Sequence, residues 1–300
     1  VSLLPPSLRP ARLEVGVIGA GRVGAVLAAA LDRAGHHVTA VAAVSAASRE
    51  RAARMVPGAE IRPVDEVATV AGLLVLAVPD DALGGLVGGL ANAGVTRPGT
   101  LVAHTSGSHG IDVLAPLVER GALPLALHPV MTFTGTEVDL QRLAGACFGV
   151  TTTDKLRPAA EALVIEMGAE PVWIAEQLRA TYHAGLAFGA NNLVTLVAEA
   201  SDVLRRAGIE DPARMLTPLL GAALDNSLHR GDRAMTGPVA RGDAGTVAAH
   251  LRAIGQHAPE ALDAYIAMSR LTAVRALQSG MLSAEQAGPL LEVLGTGGPE

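Results

Sequence analysis

The run Leu13-Glu14-Val15-Gly16-Val17-Ile18-Gly19-Ala20-Gly21-Arg22-Val23-Gly24 decides the fold: an apolar strand passes directly into G-x-G-x-x-G and then into an Ala/Leu-rich helix. Each glycine answers a separate physical need. Gly19 permits the tight turn, Gly21 lets the backbone approach a pyrophosphate, and Gly24 lets the helix lie close on the strand while its N-terminal N–H groups face an anion. In a chain with 34 glycines the motif alone is weak evidence. Here it gains weight from its context of strand, turn, a helix over 22–34 and a second strand over 37–43. The turn reads as a dinucleotide cradle, with Gly19, Gly21, Arg22, Val23 and Gly24 as cofactor contacts.

Outward from that turn the alternation continues. Periodicity predicts a helix over 48–55, a strand over 59–62, a helical turn over 64–71 and a buried strand over 72–78 stopped by Pro79. Asp80 or Asp81 then caps a helix that runs through residue 90. Strands follow over 100–104, 122–128, 146–152 and 170–174, with helices over 111–120 and 156–167. The fold class is α/β, a Rossmann doubly wound parallel sheet. Beyond it only helical periodicity remains, over 176–207, 212–228, 243–256 and 260–279, with a polar loop over 230–242. Residues 13–175 are therefore expected to form the dinucleotide-binding domain and 176–300 an all-α substrate and dimerisation domain. Residues 1–12, with Pro5, Pro6 and Pro10, read as a disordered leader.

Composition narrows the function. Half the residues are hydrophobic and only 2% aromatic, so the core is built of Ala, Val and Leu. A net charge of −6 lacks the basic excess of a nucleic-acid binder. No apolar stretch reaches the ~20 residues of a membrane span. Cys147 is the only cysteine, which rules out an internal disulfide and a cysteine-based metal cluster and fits a reducing cytoplasm. The expected partner is a small-molecule substrate, with no nucleic acid, membrane or metal, and the Ala-rich helical half suggests a homodimer.

The end of the second strand selects the cofactor. An NAD site places an acid there for the ribose hydroxyls, but this chain reads Ala43-Val44-Ser45. Ser45, Ser48 and Arg49, with Arg22 in the turn, can instead hold a 2′-phosphate, so NADPH/NADP is the expected cofactor.

Further runs are Ala77-Val78-Pro79-Asp80, His104-Thr105-Ser106-Gly107, His128-Pro129, Tyr182-His183-Ala184 with Asn191, and Thr236-Gly237-Pro238-Val239-Ala240-Arg241-Gly242-Asp243. With the glycine turn, and over residues 13–294, this ordered set resembles the 6-phosphogluconate-dehydrogenase-like reductases. More narrowly, it is similar to the family that pairs a Rossmann-like domain with the domain of unknown function 2520. The resemblance implies a helical C-terminal domain closing over the nicotinamide, and a ketopantoate-reductase-like activity converting 2-dehydropantoate to pantoate. It also implies cofactor contacts at Val78 and Pro79. Ordinary ketopantoate reductases donate a proton from a lysine on the first helix of the helical domain. The only lysine here is Lys155, outside that helix, so the role needs another acid.

Histidine suits that role because its pKa lies near the working pH. His104 and His128 end adjacent strands, where open α/β sheets bind their ligands. His183 opens the long helix, where the resemblance puts catalytic groups. We rank His183 first as proton donor and His128 second, with Asn191 beside them and His104 toward the cofactor. Ser106, Asn192 and Arg241 are candidates for binding substrate, Arg241 by a bidentate grip on a carboxylate. The function expected is NADPH-dependent reduction of a small carbonyl acid. Its alternatives are a non-catalytic NADP(H)-binding sensor or scaffold and a deazaflavin-dependent reductase.

Overall fold

The computed structural model describes residues 12–295. In chain order the first part comprises β1 (Glu14–Ile18), α1 (Arg22–Arg33), β2 (His37–Ala42), α2 (Ala46–Met55), β3 (Glu60–Ile61), α3 (Val64–Val70), β4 (Leu73–Leu76) and α4 (Asp80–Ala93). It continues with β5 (Leu101–His104), α5 (Ala115–Val118), β6 (Leu123–Pro129), α6 (Glu137–Leu143), β7 (Cys147–Thr152), α7 (Arg157–Glu166) and β8 (Glu170–Trp173). The strands form one sheet in the order β3-β2-β1-β4-β5-β6-β7-β8. The order reverses between β1 and β4, the topological switch point at which such sheets bind ligands.

Alternation along each strand gives the sheet two apolar faces. Leu73 and Val75 of β4 join Val15, Val17, Leu27, Leu125 and Phe148 in one core. Leu74 and Leu76 join Ile18, Leu83, Val87 and Leu117 in the other. Burial on both sides is what a sheet wound by helices on each face requires.

The turn after β1 follows the expected steric plan. Gly19 adopts φ +100°, and a Cβ there would overlap the Ala77 carbonyl oxygen. A Cβ on Gly24 would overlap the Gly19 carbonyl oxygen and stand 2.8 Å from the Ala77 methyl. The backbone is tied down on both sides, by Gly19 N–H to the Ala42 carbonyl at 3.0 Å and Ala77 N–H to that of Ile18 at 2.8 Å.

Several elements depart from the expectation. The β6–β7 pairing is antiparallel, so the sheet is mostly rather than wholly parallel. The chain returns beside β6 without crossing a face, and this sets His128 opposite Gly149. The connection carries α6, which the sequence reading passed over, and the helix expected over 111–120 is a 3-10 turn (Asp112–Leu114) followed by the single turn of α5.

The long helix α8 (Arg179–Arg206) is followed by α9 (Pro212–Arg230), α10 (Ala244–His257), α11 (Leu262–Gln278) and an unexpected α12 (Ala284–Gly295). Two compact units divide the chain, the first ending at Ala187 and the second beginning at Phe188, within α8. The proposed leader, apart from its last residue, lies outside the described residues. The second unit has its own core of Val239, Val247, Ala273, Ala276, Leu290 and Leu294. None of the described helices is long and apolar enough to cross a membrane.

The β6–β7 connection is pinned from within. The fully buried carboxylate of Asp139 accepts from the N–H groups of Thr134 (2.8 Å) and Gly135 (2.7 Å) and from the Thr134 hydroxyl (3.0 Å), and completes a capping box with Thr136. Burial alone would raise its pKa, but the donors from Gly135, Thr134 and Thr136 outweigh it and hold the carboxyl below the usual range. A group depressed in this way stabilises the fold above its unfolded pKa and ceases to do so as pH falls through the folded value. Asp139→Ala should therefore cost about 3 kcal/mol in urea unfolding at neutral pH, because buried donors lose their acceptor. The gap between variant and wild type should close as pH is lowered below about 4.

Candidate functional site

Three loops meet at the carboxyl ends of β1, β4 and β5. Gly21 caps α1 without a side-chain hydrogen bond, and no acid occupies the first turn of that helix. A Cβ on Gly21 would meet no atom within 4 Å, in contrast to Gly19 and Gly24. The polypeptide itself makes no demand for glycine at 21. The free N-terminal N–H groups and the open space above them fit the pyrophosphate of a dinucleotide. Val78 flanks this turn, with its Cγ1 3.3 Å from where a Gly19 Cβ would stand, and Pro79 caps α4.

Arginines surround the turn. Arg51 donates to the Ala20 carbonyl at 3.0 Å, Arg54 to Gly135 at 3.1 Å and Arg49 to Val44 at 2.8 Å, while Arg22 is exposed at the start of α1. Among the described residues none of the four forms an ion pair. A cluster of unneutralised guanidinium groups at a helix N-terminus is a site for phosphate. Ser45 is the N-cap of α2: its hydroxyl accepts from Ser48 N–H at 3.1 Å, and the Ser48 hydroxyl turns back to the Ser45 carbonyl at 2.8 Å.

The histidines separate into two kinds. His104 is fully buried, with Nε2 donating to the Gly110 carbonyl at 2.7 Å and Nδ1 accepting from Ser106 N–H at 3.2 Å. Both partners fix one neutral tautomer, and burial, with Arg179 nearby, lowers its pKa to about 4. Both ring nitrogens of His104, expected as a cofactor contact, are thus engaged in shaping the loop that follows β5. Ser106 is buried as well, its hydroxyl accepting from His109 N–H at 3.1 Å, so it too serves the loop.

His128 and His183 do come together. Their rings stand edge to face with centroids 5.7 Å apart. They share Gly107 as a floor, where a Cβ would stand 2.5 Å from His183 Cδ2 and 2.9 Å from His128 Nε2. His128 Nδ1 is bonded to the Tyr182 hydroxyl at 2.8 Å. Burial, then the neighbouring His183 and Arg179, push the His128 pKa down to about 4, so its ring is neutral at physiological pH. Asp80, at the start of α4, accepts from the Ser108 hydroxyl at 2.6 Å. Burial acts to raise its pKa, but the hydroxyls of Ser108 and Ser106 and the nearby His109 and His183 bring it below the ordinary value. The neutral His128 imidazole, the His183 ring and an ionised carboxylate thus line one patch.

Sequence reasoning missed Asp80 as more than a helix cap, and it missed Arg179 and Tyr182 as parts of the site. The available signal was spacing, since Arg179, Tyr182 and His183 fall at i, i+3 and i+4 on one helix face. Asn191, Asn192 and Arg241 belong to the second unit, where all three are exposed.

Comparison with known proteins follows this geometry. A Rossmann-like domain model matches residues 4–129, and the Domain of unknown function (DUF2520) model matches residues 146–272. No protein of curated function matches the chain. Among solved structures, a protein of Bacteroides fragilis assigned as an NADP oxidoreductase superposes with TM-score 0.71 at 24% identity, over 88% of this chain and 98% of its own. An imine reductase from Pseudomonas sp. gives 0.65 at 19%, over 95% and 100%. An imine reductase from Myxococcus stipitatus, in complex with NADP+, gives 0.64 at 17%, over 89% and 95%. At these identities the likeness is one of fold. With both domains present in order, the chain belongs to the family that joins a Rossmann-like domain to a DUF2520 domain.

Proposed function

We propose that this chain is an NADPH-dependent oxidoreductase that reduces a small carbonyl acid, with 2-dehydropantoate the first substrate to try. The observation that carries the reading is the contrast within the glycine turn: Gly19 and Gly24 are demanded by the fold, whereas Gly21 faces open space. A glycine that the chain does not need is explained by a ligand that comes close to it. The unpaired Arg22, Arg49, Arg51 and Arg54 favour a cofactor with an extra phosphate, and Ser45 and Ser48 stand at the same strand end. The NADP oxidoreductase and the NADP+ complex among the fold neighbours support the same choice.

NADPH, when bound, supplies hydride. The chain must then orient a carbonyl and deliver a proton, and the His128–His183 pair over Gly107 is the group we assign to that delivery. Arg241, Asn192 and Asn191, exposed on the second unit, are proposed as polar contacts for substrate.

Reduction of a C=N bond is a second reading that one observation favours. A protonated imine brings its own proton and gains from a carboxylate held ionised, as Asp80 is. Imine reductases are also among the fold neighbours.

The proposed homodimer rests on apolar surface. No residue of α8 beyond Arg179 is buried, α9 buries only Pro212 and Leu216, and Phe188, Val194, Leu219 and Leu228 are each more than 60% exposed. Exposure on that scale marks an association surface. Sedimentation velocity should find a dimer, and Val194→Glu with Leu228→Glu should shift it to monomer; a monomeric wild type would reject the assignment.

Gly21→Val should leave the melting temperature unchanged and abolish NADPH binding in a fluorescence titration, with wild type binding NADPH more tightly than NADH. A variant that melts early, or still binds, would remove the cofactor's claim on that position. With a carbonyl substrate in hand, comparing His128→Ala with His183→Ala should identify the donor. Loss of the donor lowers kcat by roughly 10²–10⁴-fold with NADPH affinity nearly unchanged.

A further inference from the structure

We propose that Tyr182 is the proton reservoir of this site, feeding its phenolic proton through His128 to the substrate oxygen, with the buried Arg179 cation placed to hold the phenolate that remains. The inference rests on the reductase reading and deepens it.

Arg179 is the anomaly that points there. It is 1% exposed and donates from Nη2 to the Ala126 carbonyl at 3.0 Å, but Nε and Nη1 have no partner among the described residues. The nearby carboxylate of Glu176 is occupied by the N–H groups of Ile111 (2.7 Å) and Asp112 (3.1 Å) and forms no ion pair with it. Glu176 offers its charge only from a distance, so Arg179 is a buried cation with two unsatisfied donor groups, and such a charge is useful where a negative charge develops during reaction. The ionisable groups around it are Glu176, His104, His128 and Tyr182. His104 is locked neutral by its two hydrogen bonds, and Glu176 is held by backbone. Tyr182 remains: its ring lies 5.8 Å from Arg179 Cζ, and it can pass from neutral to anionic.

Its hydroxyl is connected in the right direction. The Tyr182 oxygen lies against Gly149 and shares a 2.8 Å hydrogen bond with His128 Nδ1. A phenol is a far stronger acid than a neutral imidazole N–H, so in this bond the phenol proton points to Nδ1. The His128 proton is then on Nε2, the edge facing Gly107 and His183. A neutral imidazole in this state relays without ever becoming a cation, so the low basicity of His128 is no obstacle.

The step balances. A bound NADPH would supply the hydride for the new C–H bond and leave as NADP+, so that the carbonyl π pair would move to oxygen. That oxygen takes the proton on His128 Nε2, and Nδ1 takes the phenol proton. The product is the alcohol, neutral His128 in its other tautomer, and a Tyr182 phenolate beside Arg179, which is reprotonated from solvent. Tyr182 and Arg179 act through His128 and touch no substrate, so both are positioning residues.

The test does not need turnover. The chain has two tyrosines, so in a Tyr265→Phe background the ultraviolet absorbance of phenolate reports Tyr182 alone. Cys147 is the other titratable neighbour of Tyr182 and is present in every variant. Arg179→Met should raise the pH at which this phenolate forms by about one pH unit, and Arg179→Lys should restore it. Nitrogen-15 NMR at neutral pH should show His128 protonated on Nε2, and Tyr182→Phe should abolish that preference without unfolding the protein. An unchanged phenolate midpoint in Arg179→Met, or an Nδ1–H tautomer in the wild type, overturns the proposal; if Arg179→Met fails to fold, the tautomer measurement decides. Once a substrate is known, Tyr182→Phe should lower kcat at least about tenfold with KM and NADPH affinity unchanged. A wild type that binds NADPH and reduces nothing would sink the reductase reading instead, and leave the titration and tautomer results standing.

Discussion

The structure depends on how closely α1 approaches the end of β1. A single methyl group at residue 19 or 24 would drive carbonyl oxygens at Gly19 and Ala77 out of place. Because those two carbonyls belong to the turn after β1 and the end of β4, the same contact sets the crevice at the switch point. The helix dipole, the free N–H groups and the ring of arginines all inherit their positions from it. The expense is local: at both positions the chain gives up side-chain packing and takes a conformationally loose residue in return.

The second organising centre is the loop after β5. His104 is a polar residue at a fully buried strand end, and its two ring nitrogens reach forward to Gly110 and Ser106. That closes the loop over itself and delivers Gly107 beneath the two other histidines and Ser108 to Asp80. Glu176 fastens the far end through Ile111 and Asp112. One histidine therefore builds the floor on which the other two stand.

Much of this was legible in the sequence. The glycine turn, the strand-helix alternation and the all-helical remainder announce themselves through period and composition, and the strand-end rule found His128. The reversal of β7 was not legible, because the connection over 130–146 is long enough for a crossover and carries no turn signature. Helix α6 covers only two turns, too few for its apolar spacing to stand out. The full burial of His104 was not legible either, because it depends on a glycine-rich loop folding back over a strand end, and nothing in the local pattern shows that. Arg179 lay hidden for the opposite reason: an arginine at a helix start reads as solvated, and only the sheet beneath it makes it interior.

The reversal of β7 has a consequence for how this pocket can change over time. Because β7 runs antiparallel to β6, Gly149 stands opposite His128 and offers a wall without a side chain against which the Tyr182 hydroxyl rests. The width of that gap is set by one missing methyl group on a strand that supplies no catalytic chemistry of its own. Drift at residue 149 could thus uncouple Tyr182 from His128 while every residue lining the open face stayed the same. Relatives differing there would look alike at the cofactor and differ in how protons reach the reacting centre.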